Sequence, residues 1–221
     1  MKFSNSGDSR VTVPAFRRRK SGDMPLVVLT AYDAATAALA EAGGVDCILV
    51  GDSLGMVVLG FENTLAVTVD DMIHHAAAVG RVRRRALLVV DMPWLSYHIS
   101  VEDAVRNAAR LVRETGADAV KLEGGAERVP VIQAILKAEI PVIGHLGLTP
   151  QSVLKMGGYK VLGRKESRGE RLMEDAAALA GYLRKELGTE NGIEVDPATL
   201  QVKDRPGFYA GGVERTDESV N

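Results

Sequence analysis

The sequence is poor in cysteine and in net charge. Cys47 is the single cysteine among 221 residues, which excludes an intramolecular disulfide and is typical of a protein from a reducing compartment. The net charge of −2 gives no electrostatic reason to expect a nucleic-acid partner. Two short basic clusters, at residues 17–20 and 83–85, lack interleaved aromatic residues, and we expect both to be solvent-exposed.

Long hydrophobic runs are also absent. No apolar stretch reaches the roughly 18–20 residues that a membrane-spanning helix needs. Residues 1–10 are polar and contain no apolar segment of the kind found in secretory signal peptides. Hydrophobic residues nevertheless make up 46% of the chain, which is enough for an ordinary globular core. We therefore expect a cytoplasmic protein with no membrane partner.

Short apolar runs alternate with helical segments along most of the chain. The runs predict strands at residues 26–29, 47–50, 86–90, 119–122 and 141–143. Helices are predicted at residues 34–42, from a cap at Asp70 or Asp71 to residue 79, from a capping box at Ser100 to residue 115, and at residues 129–137. The segment 54–68 is interpreted as a loop, and residues 1–23 as a polar arm with docking points at Val11, Val13 and Phe16.

This alternation is typical of βαβ units that share one parallel sheet. The strand candidates are apolar at successive positions, as expected of strands buried on both faces. An α/β fold follows, and only a barrel or a doubly wound sheet agrees with the order of the elements.

Three of the apolar runs lead into an acidic residue. Asp52 and Asp91 follow the second and third runs, and Glu123 ends the fourth. Parallel α/β folds keep their active sites at the carboxyl ends of the strands. Carboxylate oxygens there indicate a hard metal ion, and Mg²⁺ is the ion we expect. Capping of the following helix is the alternative role for either aspartate.

Other side chains near the same strand ends suit a small anionic substrate. Lys121 can bind a substrate carboxylate or an enolate oxygen, although a purely structural ion pair with Glu123 is the alternative. Ser53 can donate to a carboxylate or cap a helix, and His145 can bind substrate or be a satisfied core histidine. Tyr32 follows the first strand at the same edge. His74 and His75 are interpreted as surface or interface residues.

Several of these stretches resemble one family. Leu29-Thr30-Ala31-Tyr32-Asp33, Gly51-Asp52-Ser53-Leu54-Gly55, Asp91-Met92-Pro93, Lys121-Leu122-Glu123-Gly124-Gly125 and Gly144-His145-Leu146-Gly147-Leu148-Thr149-Pro150 are similar, in this order, to ketopantoate hydroxymethyltransferase, also called 3-methyl-2-oxobutanoate hydroxymethyltransferase. Gly157-Gly158-Tyr159-Lys160 adds to the match. The resemblance runs from about residue 11 to about residue 180.

The resemblance implies a TIM-type (β/α)₈ barrel of the phosphoenolpyruvate/pyruvate type that forms a homo-oligomer. It implies the transfer of a hydroxymethyl group from 5,10-methylenetetrahydrofolate to 3-methyl-2-oxobutanoate, through a Mg²⁺-stabilised enolate, to give 2-dehydropantoate in pantothenate and coenzyme A biosynthesis. The residue roles that it implies are metal binding by Asp52, Asp91 and Glu123, substrate binding by Ser53, Asp91, Lys121, Tyr32 and His145, and enolate stabilisation by Lys121.

The match fades after the fifth βα unit. We predict a partial barrel at residues 1–184 and a divergent tail at 185–221. The family's general base is a glutamate that ends a sixth strand, and no matching motif is present here, so the base is unknown. The tail is similar to a C-terminal segment of flavin-dependent pyridine-nucleotide oxidoreductases. Two alternative functions follow: a non-catalytic barrel remnant that binds metal or keto acid or only oligomerises, and another Mg²⁺-dependent keto-acid lyase.

Overall fold

In the part of the chain that the structure describes, five strands form one sheet, and they lie side by side in the order in which they occur along the sequence. The computed structural model describes residues 9–19, 25–158 and 166–185. The strands are β1 Val28–Thr30, β2 Cys47–Val50, β3 Leu87–Asp91, β4 Ala119–Glu123 and β5 Val142–His145. The pairs β1–β2, β2–β3 and β3–β4 are parallel. The predicted α/β fold with a parallel sheet is confirmed, and all five strands lie at or within two residues of their predicted positions.

A helix follows each strand. The helices are α1 Val13–Arg19, α2 Ala34–Ala42, α3 Leu54–Val57, α4 Val69–Val82, α5 Val101–Thr115, α6 Val129–Lys137, α7 Val153–Met156 and α8 Glu166–Lys185. Three 3₁₀ turns lie at Thr64–Ala66, Ala126–Arg128 and Pro150–Ser152. None of the helices within the described ranges is long and apolar enough to cross a membrane.

Polar side chains set the first residues of the longer helices. The Asp33 carboxylate accepts from the Thr36 amide at the start of α2. The Ser100 half of the predicted capping box is confirmed, because the Ser100 hydroxyl accepts from the Asp103 amide at the start of α5. The predicted cap of α4 at Asp70 or Asp71 is wrong. Thr68 is the cap, because its hydroxyl accepts from the Asp71 amide while the Asp71 carboxylate accepts from the Thr68 amide.

The segment 54–68 is not the loop that the sequence predicts. It contains the single helical turn α3 and the 3₁₀ turn Thr64–Ala66. One turn of helix is too short to display a hydrophobic period, so the sequence pattern does not reveal it.

Residues 11–16 of the N-terminal arm pack against the sheet. Val11 is buried with Cys47, Leu87, Val89 and Ala119, and Val13 and Phe16 pack against this cluster. The three predicted docking points are therefore confirmed, and two of them belong to the helix α1. Since side chains alternate along a strand, Cys47, Leu87 and Ala119 mark one face of the sheet at its amino-terminal end.

Ion pairs between arginine and aspartate lie next to the amino-terminal ends of β2 and β4. Arg19 pairs with Asp46, just before β2, and Arg83 pairs with Asp118, just before β4. The Arg83 side chain is only 4% exposed. The prediction that residues 83–85 form a solvent-exposed cluster is therefore wrong for Arg83, because the short turns before the strands leave carboxylates and carbonyl groups that need a donor there. Arg17 and Arg18 are exposed, as predicted.

The chain divides into two compact units. The first comprises Met1–Leu122 and Pro130–Ile143, and the second comprises Glu123–Val129 and Gly144–Asn221. Within the second unit α8 packs on the turn Ala126–Arg128, and the Asp175 carboxylate accepts from the Ala126 amide at 2.9 Å. The predicted tail at 185–221 lies outside the described residues apart from Lys185, so the predicted boundary at 184 stays a prediction.

We predict that Asp46→Asn destabilises the fold by about 2 kcal/mol at pH 7, because Arg19 loses its charged partner next to the core. Burial opposes ionisation of Asp46, but hydrogen bonds from the Val27 amide and Arg19 outweigh it and lower the pKa of the carboxyl. A lowered folded-state pKa contributes stability above the unfolded-state pKa of about 4, and this contribution is lost as the pH falls below it.

Urea unfolding at pH 7 and at pH 3 measures this difference. The wild type and Asp46→Asn should differ at pH 7, and the difference should be smaller at pH 3. Glu114→Gln, which removes an exposed ion pair with Arg110, is the matched control and should change stability by less than about 0.5 kcal/mol. Equal stability of Asp46→Asn and the wild type at pH 7 would contradict the prediction.

Candidate active site

The buried Asp91 and the partly buried Lys121 form an ion pair at the carboxyl ends of two neighbouring strands. They are register partners in the parallel pair β3–β4, and Lys121 Nζ lies 2.8 Å from Asp91 Oδ1. Alternation along β3 places Asp91 on the same face as Leu87 and Val89. Asp91 is only 6% exposed. A buried carboxylate requires a cation or several donors, and Lys121 is the cation here.

The turn after β2 lies against the same carboxylate. The Asp52 amide donates to Asp91 Oδ2 at 3.2 Å, and Asp52 itself is buried. A Cβ atom at Gly51 would lie 2.9 Å from Ser53 Oγ and 3.3 Å from Asp91 Oδ2, so a side chain there would displace both groups. Glycine at position 51 therefore permits the close approach of the turn to Asp91.

Tyr32 and Ser53 connect the ends of β1 and β2. The Tyr32 hydroxyl and Ser53 Oγ are 2.9 Å apart. Ser53 flanks the first turn of α3, but its side chain makes no capping hydrogen bond, so the cap alternative for Ser53 is wrong. Its hydroxyl is engaged by Tyr32 instead. His75 Nδ1 lies 2.7 Å from the Tyr32 carbonyl oxygen, a contact that the sequence did not predict.

Glu123 and His145 form a separate pair within the second compact unit. Glu123 Oε1 is 3.1 Å from His145 Nδ1, and Glu123 Oε2 accepts from the Gln151 amide at 3.1 Å. Because an ionised carboxylate only accepts, the proton of this bond belongs to His145 Nδ1.

The described residues satisfy only part of the predicted metal set. Asp52 and Asp91 are buried carboxylates in one compact unit, and Mg²⁺ commonly uses one or two protein carboxylates together with water or substrate oxygens. Among the described residues, no three histidine, cysteine, aspartate or glutamate side chains are grouped as a metal cluster. The donor chemistry of the aspartate pair suits Mg²⁺, and the role of Glu123 as a further ligand stays a prediction.

A family model decides the relationship of this chain to known proteins. The model for ketopantoate hydroxymethyltransferase matches residues 10–182. The chain belongs to this family. The 3-methyl-2-oxobutanoate hydroxymethyltransferases of Syntrophomonas wolfei and Moorella thermoacetica are each 56% identical to it over 171 residues, which are 77% of this chain. The chain spans about three fifths of the length of these relatives, 62% and 64%.

Solved structures agree on the fold. Phosphonopyruvate hydrolase, in a complex with oxalate and Mg²⁺, has a TM-score of 0.58 and 15% identity, over 89% of this chain and 69% of that protein. A 2,3-dimethylmalate lyase of the phosphoenolpyruvate mutase/isocitrate lyase superfamily has a TM-score of 0.53 and 18% identity, over 80% of this chain and 61% of the lyase. Together with the sheet, these likenesses confirm the predicted partial TIM-type barrel.

Sequence reasoning identified most of the polar side chains at these strand ends. It missed His75, because the contact with Tyr32 joins two elements that are distant in sequence and leaves no periodic pattern. An ion pair with Glu123 was the alternative role for Lys121, and the structure shows Lys121 paired with Asp91.

We predict that Lys121→Met destabilises the protein by about 2 kcal/mol at pH 7, because it removes the ammonium group that contacts the buried Asp91 carboxylate. The double variant Asp91→Asn/Lys121→Met should recover at least half of this loss, since the charge is then removed on both sides. Thermal unfolding of Lys121→Met, Asp91→Asn and the double variant, followed by circular dichroism, measures the coupling free energy between the two side chains. Strictly additive effects would mean that the two side chains do not interact.

Proposed function

We propose that this chain acts in the transfer of a hydroxymethyl group from 5,10-methylenetetrahydrofolate to 3-methyl-2-oxobutanoate, giving 2-dehydropantoate for pantothenate and coenzyme A biosynthesis, with Mg²⁺ as cofactor. The observation that best supports the proposal is the contact of the buried Asp52 and Asp91 with the partly buried Lys121 at adjoining strand ends. The relatives of the chain are named for this transfer.

The proposed ligands of Mg²⁺ are Asp52 and Asp91, whose hard oxygen donors suit this ion. When bound, Mg²⁺ would supply Lewis-acid stabilisation of the negative charge that develops on the keto oxygen. A 2-keto acid offers a carboxylate and a keto oxygen, and both are suitable partners for the cations and donors of such a site.

The side chains of this chain have separate proposed roles. Lys121 would place a fixed positive charge near the oxygen on which the enolate charge develops, and burial strengthens this effect. The Ser53 hydroxyl would donate a hydrogen bond to the substrate carboxylate. Tyr32 would fix the direction of this hydroxyl through the 2.9 Å contact. His145, oriented by Glu123, is proposed as a further substrate-binding residue. The general base that removes the C3 proton is unknown.

We further propose that the protein is a cytoplasmic homo-oligomer. An exposed apolar stretch after β2 supports association, because large exposed apolar patches are typical of interfaces. The stretch contains Met56, Val57, Val58, Leu59 and Phe61. Sedimentation velocity that shows only monomer at micromolar concentration would contradict the oligomer.

We predict that 3-methyl-2-oxobutanoate binds only in the presence of Mg²⁺, and that Asp52→Asn and Asp91→Asn each weaken binding at least tenfold. Each substitution removes a negative oxygen donor from the proposed metal site. Isothermal titration calorimetry with and without Mg²⁺ measures both effects. Asp70→Asn, at an exposed aspartate of α4, is the matched control and should bind as the wild type does. Unchanged affinity in both site variants would rule out the metal site.

The alternative of a non-catalytic barrel remnant makes a different prediction about the C3 proton of the keto acid. Proton NMR in D₂O, with Mg²⁺ and without folate, measures the exchange of this proton for deuterium. An enzyme of this family should accelerate exchange above the rate without protein, and Asp91→Asn should abolish the acceleration. Binding without accelerated exchange would favour the remnant. The lyase alternative has support at the level of the fold alone, from structures only 15–18% identical.

A further inference from the structure

We propose that His75 is a positioning residue, which fixes the segment after β1 so that Tyr32 can orient the Ser53 hydroxyl. The inference rests on the proposed function for its effect on keto-acid binding, and on the described contacts for the positioning itself. It extends the site to helix α4, which contributes none of the predicted binding residues.

The segment after β1 has few supports of its own. Strand β1 is three residues long and lies at the edge of the sheet, and Val28 and Leu29 are about half exposed. Its continuation is attached to β2 by one hydrogen bond, from the Ala31 amide to the Leu49 carbonyl at 3.2 Å. Because the strand itself is weakly held, side-chain contacts must decide where the next residues lie.

His75 supplies a contact at the required point. Its Nδ1 lies 2.7 Å from the Tyr32 carbonyl oxygen. A carbonyl oxygen has no proton to give, so Nδ1 must be the donor and the ring must be protonated at that nitrogen. His75 is half-buried on α4, a helix of 14 residues whose first turn is fixed by the Thr68–Asp71 capping box. The donor therefore belongs to a rigid element.

Tyr32 connects His75 to Ser53. Tyr32 accepts from His75 with its backbone carbonyl and meets Ser53 Oγ with its phenolic hydroxyl at 2.9 Å. Asp33, the next residue, caps α2 through the Thr36 amide at 2.8 Å. With the cap on one side and His75 on the other, Tyr32 has little freedom to move its ring. Loss of the His75 donor would leave the Ser53 hydroxyl without a fixed direction.

Two substitutions of His75 separate positioning from packing. His75→Leu removes the donor and keeps an apolar side chain of moderate size. His75→Asn keeps an N–H donor near the position of Nδ1. His74→Leu is the matched control, because His74 is the exposed neighbour on the same helix and contacts His75 only through their ring edges.

Calorimetry with 3-methyl-2-oxobutanoate and Mg²⁺ gives the first readout. His75→Leu should weaken binding about tenfold, the loss typical of one hydrogen bond in an ordered site. His75→Asn should stay within about threefold of the wild type, and His74→Leu should be unchanged. Wild-type affinity in His75→Leu would overturn the proposal, and so would an equal loss in His75→Leu and His75→Asn.

Hydrogen–deuterium exchange gives a second readout that needs no ligand. His75→Leu should speed amide exchange in residues 31–36 and 52–56 at least fivefold, while His75→Asn should restore slow exchange. If the wild type does not bind the keto acid, the proposed function fails and this readout alone decides the positioning role. Exchange at the wild-type rate in His75→Leu would then overturn the inference.

Discussion

The ion pair between Asp91 and Lys121 is the constraint on which the proposed site depends. Parallel pairing of β3 and β4 places the two residues opposite each other, and their side chains meet at 2.8 Å. An ionised carboxylate that is buried without a partner would be strongly destabilising. The register of β3 and β4 therefore has to place the cationic side chain of Lys121 next to Asp91. Asp91 also accepts from the Asp52 amide, which ties the turn after β2 to the same point.

The first compact unit tolerates these charges because Asp91 and Lys121 pair with each other. The rest of the same face is apolar and is covered at its other end. Val11 and α1 cover Cys47, Leu87 and Val89 near the amino-terminal ends of the strands. Burial raises the pKa of the Cys47 thiol to about 12, which is the behaviour of an inert core residue. The same strands thus have a covered apolar end and a polar end. The polar end consists of the few residues that follow each apolar run.

The sequence predicts the elements whose physical cause is local. Cys47–Val50 is an unbroken apolar run and forms β2 at its predicted limits, and Ser100 caps α5 because the Asp103 amide lies within reach of its hydroxyl. The sequence does not predict the contacts between elements that are distant along the chain. The basic cluster predicted an exposed Arg83, but Arg83 is buried in an ion pair with Asp118. The contact of His75 with Tyr32 depends on the packing of α4, which the sequence pattern does not show. Asp52 and Asp91 could be foreseen because parallel strands gather their carboxyl ends at one edge.

The proposed site brings metal and keto acid together at the carboxyl end of β3. Paramagnetic relaxation of ¹³C-labelled 3-methyl-2-oxobutanoate by protein-bound Mn²⁺, an ion that accepts the same oxygen ligands as Mg²⁺, tests it most directly. The account predicts strong relaxation of the C1 and C2 signals that requires both Mn²⁺ and the protein, persists in Asp70→Asn and disappears in Asp91→Asn. Relaxation of the same strength in Asp91→Asn and in the wild type would contradict it.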